Sequence, residues 1–181
     1  DPGADFDPLM YEVIVVGCGP AGLAATLFAV RQRMKVAVIG KEIGGQAIHS
    51  THVENNWIEG IAGEGLVERF EKQLAEQFVE FIRDEIAKID YGPGCYEFET
   101  TQGAFIRARV VIFATGMMPN RLGVPGEQKF TGHGVSYFTD HYGPTAPGKN
   151  VLVIGGWHSG LQAVQEVAPV AGQIHVLTQG G

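Results

Sequence analysis

Four short stretches of the chain are predominantly apolar and rich in β-branched residues: the runs at 11–16 (YEVIVV), 35–39 (KVAVI), 110–114 (VVIFA) and 151–154 (VLVI). Strands that lack a polar face suit a parallel sheet covered on both sides. Between the first two runs, residues 20–33 are apolar enough for a helix buried on more than one side, so 11–39 predicts a β-α-β unit. Residues 65–80 differ in kind. They place Leu66, Phe70, Leu74 and Phe78 at four-residue spacing with Glu and Lys between them, which predicts one amphipathic helix. Short strands are expected at 86–90, 95–101 and 104–109, joined by turns at Gly92-Pro93-Gly94 and Gln102-Gly103, before the apolar strand 110–114. An antiparallel meander is thus inserted into a parallel-sheet domain. Residues 40–63 are Gly-, His- and Asn-rich and predict a loop, and 116–149 carry Pro119, Pro125, Pro144 and Pro147, the composition of a connection. A second β-α-β pattern starts at 151, with a helix over 159–168 stopped by Pro169 and a strand over 174–178.

Composition narrows the function classes. With 20 acidic against 13 basic residues and a net charge of −7, the chain carries no electrostatic footprint for nucleic acid or an anionic membrane. No apolar run reaches the roughly 18–20 residues that span a bilayer, and the acidic start Asp1-Pro2-Gly3-Ala4-Asp5 is unlike a signal peptide. Cys18 and Cys95 are far apart and form no CxxC, which points to a reducing compartment. The expectation is a soluble, cytoplasmic protein.

Gly17-Cys18-Gly19-Pro20-Ala21-Gly22 is GxGxxG between a predicted strand and a predicted helix, with a second strand at the right distance. The first glycine permits the tight turn, the second lets backbone approach a pyrophosphate, and the third lets helix pack on strand. The helix start offers free N–H groups and partial positive charge to phosphate. Dinucleotide binding follows. The second strand usually ends on an acidic residue that takes the ribose hydroxyls, but here that place is Gly40, with Glu42 two residues later. Two readings of Glu42 stand, a ribose ligand and a solvated loop charge. The later stretch Gly155-Gly156-Trp157-His158-Ser159-Gly160 occupies the equivalent place in the second β-α-β pattern, with Trp157 where the middle glycine belongs. The fold class expected is α/β, with two Rossmann-like, three-layer dinucleotide-binding domains: 1–117 the first, 118–149 the connection, and 150–181 the start of the second.

Five motifs in order, GCGPAG (17–22), GGQ (44–46), VENNW (53–57), ATG (114–116) and LGVPGE (122–127), make the chain resemble the thioredoxin reductase branch of the flavoprotein disulfide reductases. The resemblance covers nearly the whole chain and the N-terminal part of a family member. It implies FAD as cofactor, with Gly17, Gly19, Pro20, Ala21 and Gly22 at the pyrophosphate and Gly45 and Gln46 near the ribityl chain and flavin ring. Asn55 would bond towards the ring, although the extra residue in VENNW leaves Asn55 and Asn56 in competition. Glu85 and Ile86 match the strand passing the adenine, and Ala114, Thr115 and Gly116 the turn closing over the nucleotide. The resemblance also implies a homodimer.

Three departures from the family pattern bear on activity. Where members that reduce disulfides carry CxxC after a Gly-Val-Ser stretch, this chain has Gly134-Val135-Ser136 and then Phe138 and His141 at the two cysteine positions. Dithiol exchange by the family route is excluded. Two readings of His141 stand, a proton donor beside a reduced flavin and a loop histidine bonded to backbone. Next, Trp157 projects towards the volume a pyrophosphate would fill, while Gly155, Gly156 and Gly160 keep the small positions of a degenerate second nucleotide site. Finally, the arginines that would pair with the 2′-phosphate of NADPH are replaced by Gln179-Gly180-Gly181. NAD(P)H binding is therefore left open. The later segment that completes the family's FAD domain is missing, and the chain is expected to be a fragment.

The expected function is an FAD-dependent oxidoreductase that takes electrons from a ferredoxin-like donor protein, a second cofactor or NADH bound in an altered way, and passes them to a small-molecule acceptor. Two alternatives stand: a flavin-binding or regulatory module without turnover, and an NAD(P)H-dependent disulfide reductase whose cysteines lie in a missing C-terminal part. His49 and His52 lack a further ligand for a metal site, Cys18 and Cys95 are expected to pack rather than react, and Trp57 and Phe138 to be packing residues.

Overall fold

A computed structural model of the chain describes residues 10–49, 53–55, 58–138 and 146–178. The chain divides into two compact units, residues 1–117 and 118–181.

The first unit is built on strand β1 (Tyr11–Val16), helix α1 (Pro20–Arg31) and strand β2 (Val36–Ile39). Pro20, at the start of α1, has the fixed φ that a first helical turn requires and no N–H to leave unsatisfied. Helix α2 (Gly63–Ala75) and strands β5 (Val79–Ile82), β6 (Ile86–Gly92), β7 (Cys95–Thr100) and β8 (Phe105–Phe113) follow a short 3-10 turn (Gly45–His49) and an antiparallel pair, β3 (Val53–Asn55) with β4 (Ile58–Ile61). One six-stranded sheet has the order β5-β2-β1-β8-β7-β6. Its first four strands run parallel and its last two antiparallel.

Strand β8 does two jobs. Its first half, Phe105–Ala108, pairs antiparallel with β7, and its second half, Val110–Phe113, pairs parallel with β1. The two strands expected at 104–109 and 110–114 are therefore one, because nothing between Arg109 and Val110 breaks the ladder. The result is three layers. Val13, Val15, Val36 and Val38 pack with Leu23, Leu27 and Val30 of α1 and Leu74 of α2. On the other face Ile14, Ala37 and Ile39 pack with Phe98 of β7 and Ala108 of β8. The meander covers the face that the helices leave, which is why both faces of β1 and β2 are apolar.

Helix α2 is shorter than its sequence pattern suggests. Leu66 and Leu74 are buried as expected, but the helix ends at Ala75 and Phe78 is 103% exposed. Residues Val79–Ile82, expected at the helix tail and just beyond, form β5 instead, paired with Val36–Ile39. Their β-branched and aromatic side chains suit the sheet edge, and the four-residue spacing to Phe78 is accidental. The expected loop over 40–63 likewise contains the 3-10 turn and the β3–β4 pair.

The second unit contains a one-turn helix α3 (Glu127–Phe130), then β9 (Asn150–Ile154), α4 (His158–Val167) and β10 (Gln173–Leu177). β9 and β10 are parallel in the register Val151↔Ile174 to Ile154↔Leu177.

Candidate functional site

In the first unit the residues singled out by sequence converge at the carboxyl ends of the parallel strands, where open α/β sheets bind their ligands. Gly17 has φ +112 and its amide bonds the carbonyl of Ile39 at 2.8 Å. A Cβ on Gly17 would lie 2.1 Å from the carbonyl oxygen of Ala114, so the fingerprint turn and the exit of β8 are in direct contact. Gly22 is as constrained: its Cβ would fall 1.9 Å from the Gly17 carbonyl oxygen. Neither position tolerates a side chain.

Gly19 is a glycine for a different reason. It caps α1 with φ −73 and ψ 178, a backbone open to any residue, and a Cβ there would meet no atom of the chain within 4 Å. The space beside it is open. No side chain caps α1 and no acidic residue lies in its first turn, so the N–H groups and positive end of the helix face that space without an internal anion. These residues fit a dinucleotide pyrophosphate.

The 44–46 loop closes on the same turn. Gly44 donates to the Cys18 carbonyl at 2.7 Å, and a Cβ on Gly45 would approach the α-carbon of Gly19 to 3.1 Å. The Gln46 side-chain amide donates to the carbonyl of Met117, just beyond Ala114, Thr115 and Gly116. Fingerprint, GGQ loop and ATG exit thus form one rim. Asn55 ends β3, whereas Asn56, Trp57, His52 and His141 lie outside the described residues.

At the neighbouring strand ends, Gly40 bonds the Ile82 carbonyl at 3.1 Å. Lys41 and Glu85 form an exposed ion pair at 2.7 Å, while Glu42 lies exposed on the turn between Lys41 and the GGQ loop. Ile86 is half-buried and packs on the Ile14 and Phe98 cluster. Gly40 is compelled by Cys18, since a Cβ at 40 would lie 2.6 Å from its sulfur. Burial pushes the Cys18 thiol up to about 11, which keeps it protonated at neutral pH.

Asp84 escaped sequence reasoning. It is buried, and its carboxylate accepts from the backbone N–H of Glu85 at 2.7 Å, from Gln102 N–H at 3.2 Å and from the Thr101 hydroxyl. Hydrogen bonds from Thr100 and Thr101 hold its carboxyl well below the usual range, outweighing the burial that opposes them. The signal was available: an acid at the end of an apolar stretch, and Thr-Thr-Gln-Gly in a hairpin turn.

In the second unit Gly155 (φ +123) takes the positive φ of Gly17, although a Cβ there would meet nothing within 4 Å, and Gly160 repeats Gly22, its Cβ falling 2.0 Å from the Gly155 carbonyl oxygen. Trp157 caps α4 with φ −87 and ψ −175, nearly the backbone of Gly19, and its side chain is 88% exposed. A Cβ on Gly156 would meet the methyl of Thr178 at 2.5 Å. Earlier in this unit, Glu127 of the LGVPGE stretch is buried. It accepts from Leu122 N–H (2.8 Å), Gly123 N–H (2.7 Å) and the Tyr137 hydroxyl (2.6 Å), a role its motif did not disclose. Phe138 sits on a turn in which the Ser136 hydroxyl donates to its carbonyl at 2.6 Å, and it is 41% exposed.

Residues 11–180 match the family described as pyridine nucleotide-disulphide oxidoreductase. The chain is 34% identical over 176 residues to an NADH dehydrogenase of Bacillus subtilis, covering 96% of this chain and 34% of that protein. A thioredoxin reductase of Peptoclostridium acidaminophilum is 33% identical over 171 residues, covering 93% of this chain and 54% of the relative. Among solved structures, Lactococcus lactis thioredoxin reductase superposes with a TM-score of 0.78 at 26% identity, over 93% of this chain and 56% of that one. The chain thus spans about a third to a half of the relatives it matches. By the length of the match and the three-layer fold alike, it belongs to the pyridine nucleotide-disulphide oxidoreductase family as a thioredoxin reductase-like member.

Proposed function

We propose that the protein is an FAD-dependent oxidoreductase whose electrons do not come from NADPH seated in the second turn and do not leave through a cysteine pair at the family's usual place. The observation that carries this is the contrast between two turns with one backbone: open space over Gly19, an indole over Trp157. FAD, when bound, supplies two-electron redox chemistry through its isoalloxazine ring. The chain's part is to hold it. Gly17, Gly19, Pro20, Ala21 and Gly22 would face the pyrophosphate, and Gly45 and Gln46 the ribityl side. Glu85 and Ile86 would stand at the adenosine end, with Ala114, Thr115 and Gly116 closing the rim. The Gln46 bond to Met117 would hold that rim shut over the nucleotide.

The donor is then a ferredoxin-type protein or NADH. NADH is favoured over NADPH by two observations: the residues directly after β10, Thr178-Gln179-Gly180-Gly181, hold no cation to pair with a 2′-phosphate, and a relative at 34% identity is an NADH dehydrogenase. Anaerobic mixing of the FAD-loaded protein with NADPH, NADH or reduced ferredoxin, followed by flavin absorbance, tests it. Fast and saturable bleaching by NADPH overturns the donor assignment. Reduction by dithionite but by none of the three favours a flavin-binding module without turnover.

A further inference from the structure

We infer that Asp84 is the positioning residue for the adenosine end of the dinucleotide site, a role that rests on the flavin reading above. Three facts carry it. The carboxylate is buried between two connections, the 83–85 link joining β5 to β6 and the 101–104 turn joining β7 to β8. One of its oxygens takes the Glu85 amide at 2.7 Å and the Thr101 hydroxyl, while the other takes the Gln102 amide at 3.2 Å. The carbonyl of Glu85 is held at the same time by the Thr101 amide at 2.8 Å, so both backbone polar groups of Glu85 are committed to this knot.

The consequence is geometric. With its main chain held on both sides, Glu85 is presented at the carboxyl ends of β2 and β5, where its side chain meets Lys41 at 2.7 Å. The fingerprint turn meets the end of β2 through the Gly17 amide on Ile39, and Gly40, the residue after β2, ties that end to β5 through its amide on Ile82. Asp84 touches none of the atoms that would meet the cofactor and acts through Glu85. The meander therefore does more than cover the sheet: its β7–β8 turn, through Thr101 and Gln102, sets the loop that would receive the adenosine.

The test compares the unaltered protein with Asp84→Asn and, because that variant removes a buried charge, with the milder Thr101→Val. Dissociation constants are measured for FAD by flavin fluorescence quenching and for 5′-ADP by competition, alongside the visible spectrum of bound FAD. Asp84→Asn is expected to weaken FAD and ADP in parallel by about ten-fold, the size of one charge-assisted hydrogen bond, and Thr101→Val by a few-fold. The spectrum of the bound flavin stays unchanged, because the ring end is untouched; a general loss of packing would alter it. Equal affinities in all three proteins, or a weakening of FAD without ADP, overturns the proposal and leaves the flavin reading standing. Failure of the unaltered protein to bind FAD overturns both.

Discussion

Cys18 and Gly40 share one space: the sulfur of the first fills the position that a side chain on the second would need, 2.6 Å from the Cβ it lacks. The second unit solves the same problem with the sizes reversed, Gly156 leaving room for the methyl of Thr178, 2.5 Å from a missing Cβ. In each unit one residue in the fingerprint and one just past the second strand divide a fixed volume. The place that often carries a ribose-binding acid is thus given over to packing. Gly40→Ala is expected to destabilise the first unit by about 1–3 kcal/mol, as overpacking does. In a Cys18→Ala background the cost falls by about 1 kcal/mol, a coupling that a thermal or denaturant double-mutant cycle resolves. Additive effects would show that the two residues do not compete.

Gly19 and Trp157 supply a test of what a turn glycine is for. Gly19→Ala should fold normally, within about 0.5 kcal/mol of the unaltered protein, because its backbone angles are ordinary and its Cβ meets no neighbour. It should nonetheless lose FAD by ten-fold or more, since the new methyl enters the space assigned to the pyrophosphate. Calorimetry and flavin retention on gel filtration separate the two effects.

Trp157→Gly reverses the experiment. If the indole is the obstruction, NADH affinity rises by at least ten-fold and NADPH gains less, because no cation is added for its phosphate. Unchanged affinities for both nucleotides would place the obstruction elsewhere.

Glu127 and Tyr137 give the second unit a defined pH response. The Tyr137 hydroxyl, followed by the Leu122 and Gly123 amides, holds the Glu127 carboxyl below its ordinary value, and the same carboxylate holds the Tyr137 hydroxyl above its own. A lowered carboxyl pKa adds stability above the unfolded value, about 4.5, that is lost as the pH falls; a raised phenol pKa adds stability below about 10 that is lost on alkalinisation. Glu127→Gln should flatten both limbs of a melting-temperature profile, whereas Tyr137→Phe should abolish the alkaline limb and weaken the acid one, leaving the part that the Leu122 and Gly123 amides supply.

Much of this architecture is legible in the sequence, and the misses share a cause. Apolar runs announce β1 and β2 because both their faces are covered, and β9 carries the same pattern although Leu152 and Ile154 are exposed. Phe78 and the residues after it mislead: an exposed phenylalanine at helical spacing extends the apparent helix over β5, whose identity depends on pairing with Val36–Ile39, a contact local pattern does not contain. Asp84 and Glu127 were missed for the same reason. Each is an ordinary acid until its donors are known, and those of Asp84 come from a hairpin turn about 17 residues away, Thr101 and Gln102. The glycines fared better. At Gly17, Gly22 and Gly160 the motif fixes both the residue and its steric reason, whereas the reason it gives for Gly19, close approach of a pyrophosphate, concerns atoms outside the chain.

The matched backbones of Gly19 and Trp157, φ −73 and ψ 178 against φ −87 and ψ −175, have an evolutionary meaning. Because the turn folds alike with or without a side chain at its cap, selection on folding does not oppose the exchange in either direction. The tryptophan codon and one glycine codon differ by a single base. If the indole is what closes the second turn, a single base change would separate a closed nucleotide seat from an open one without a change of fold.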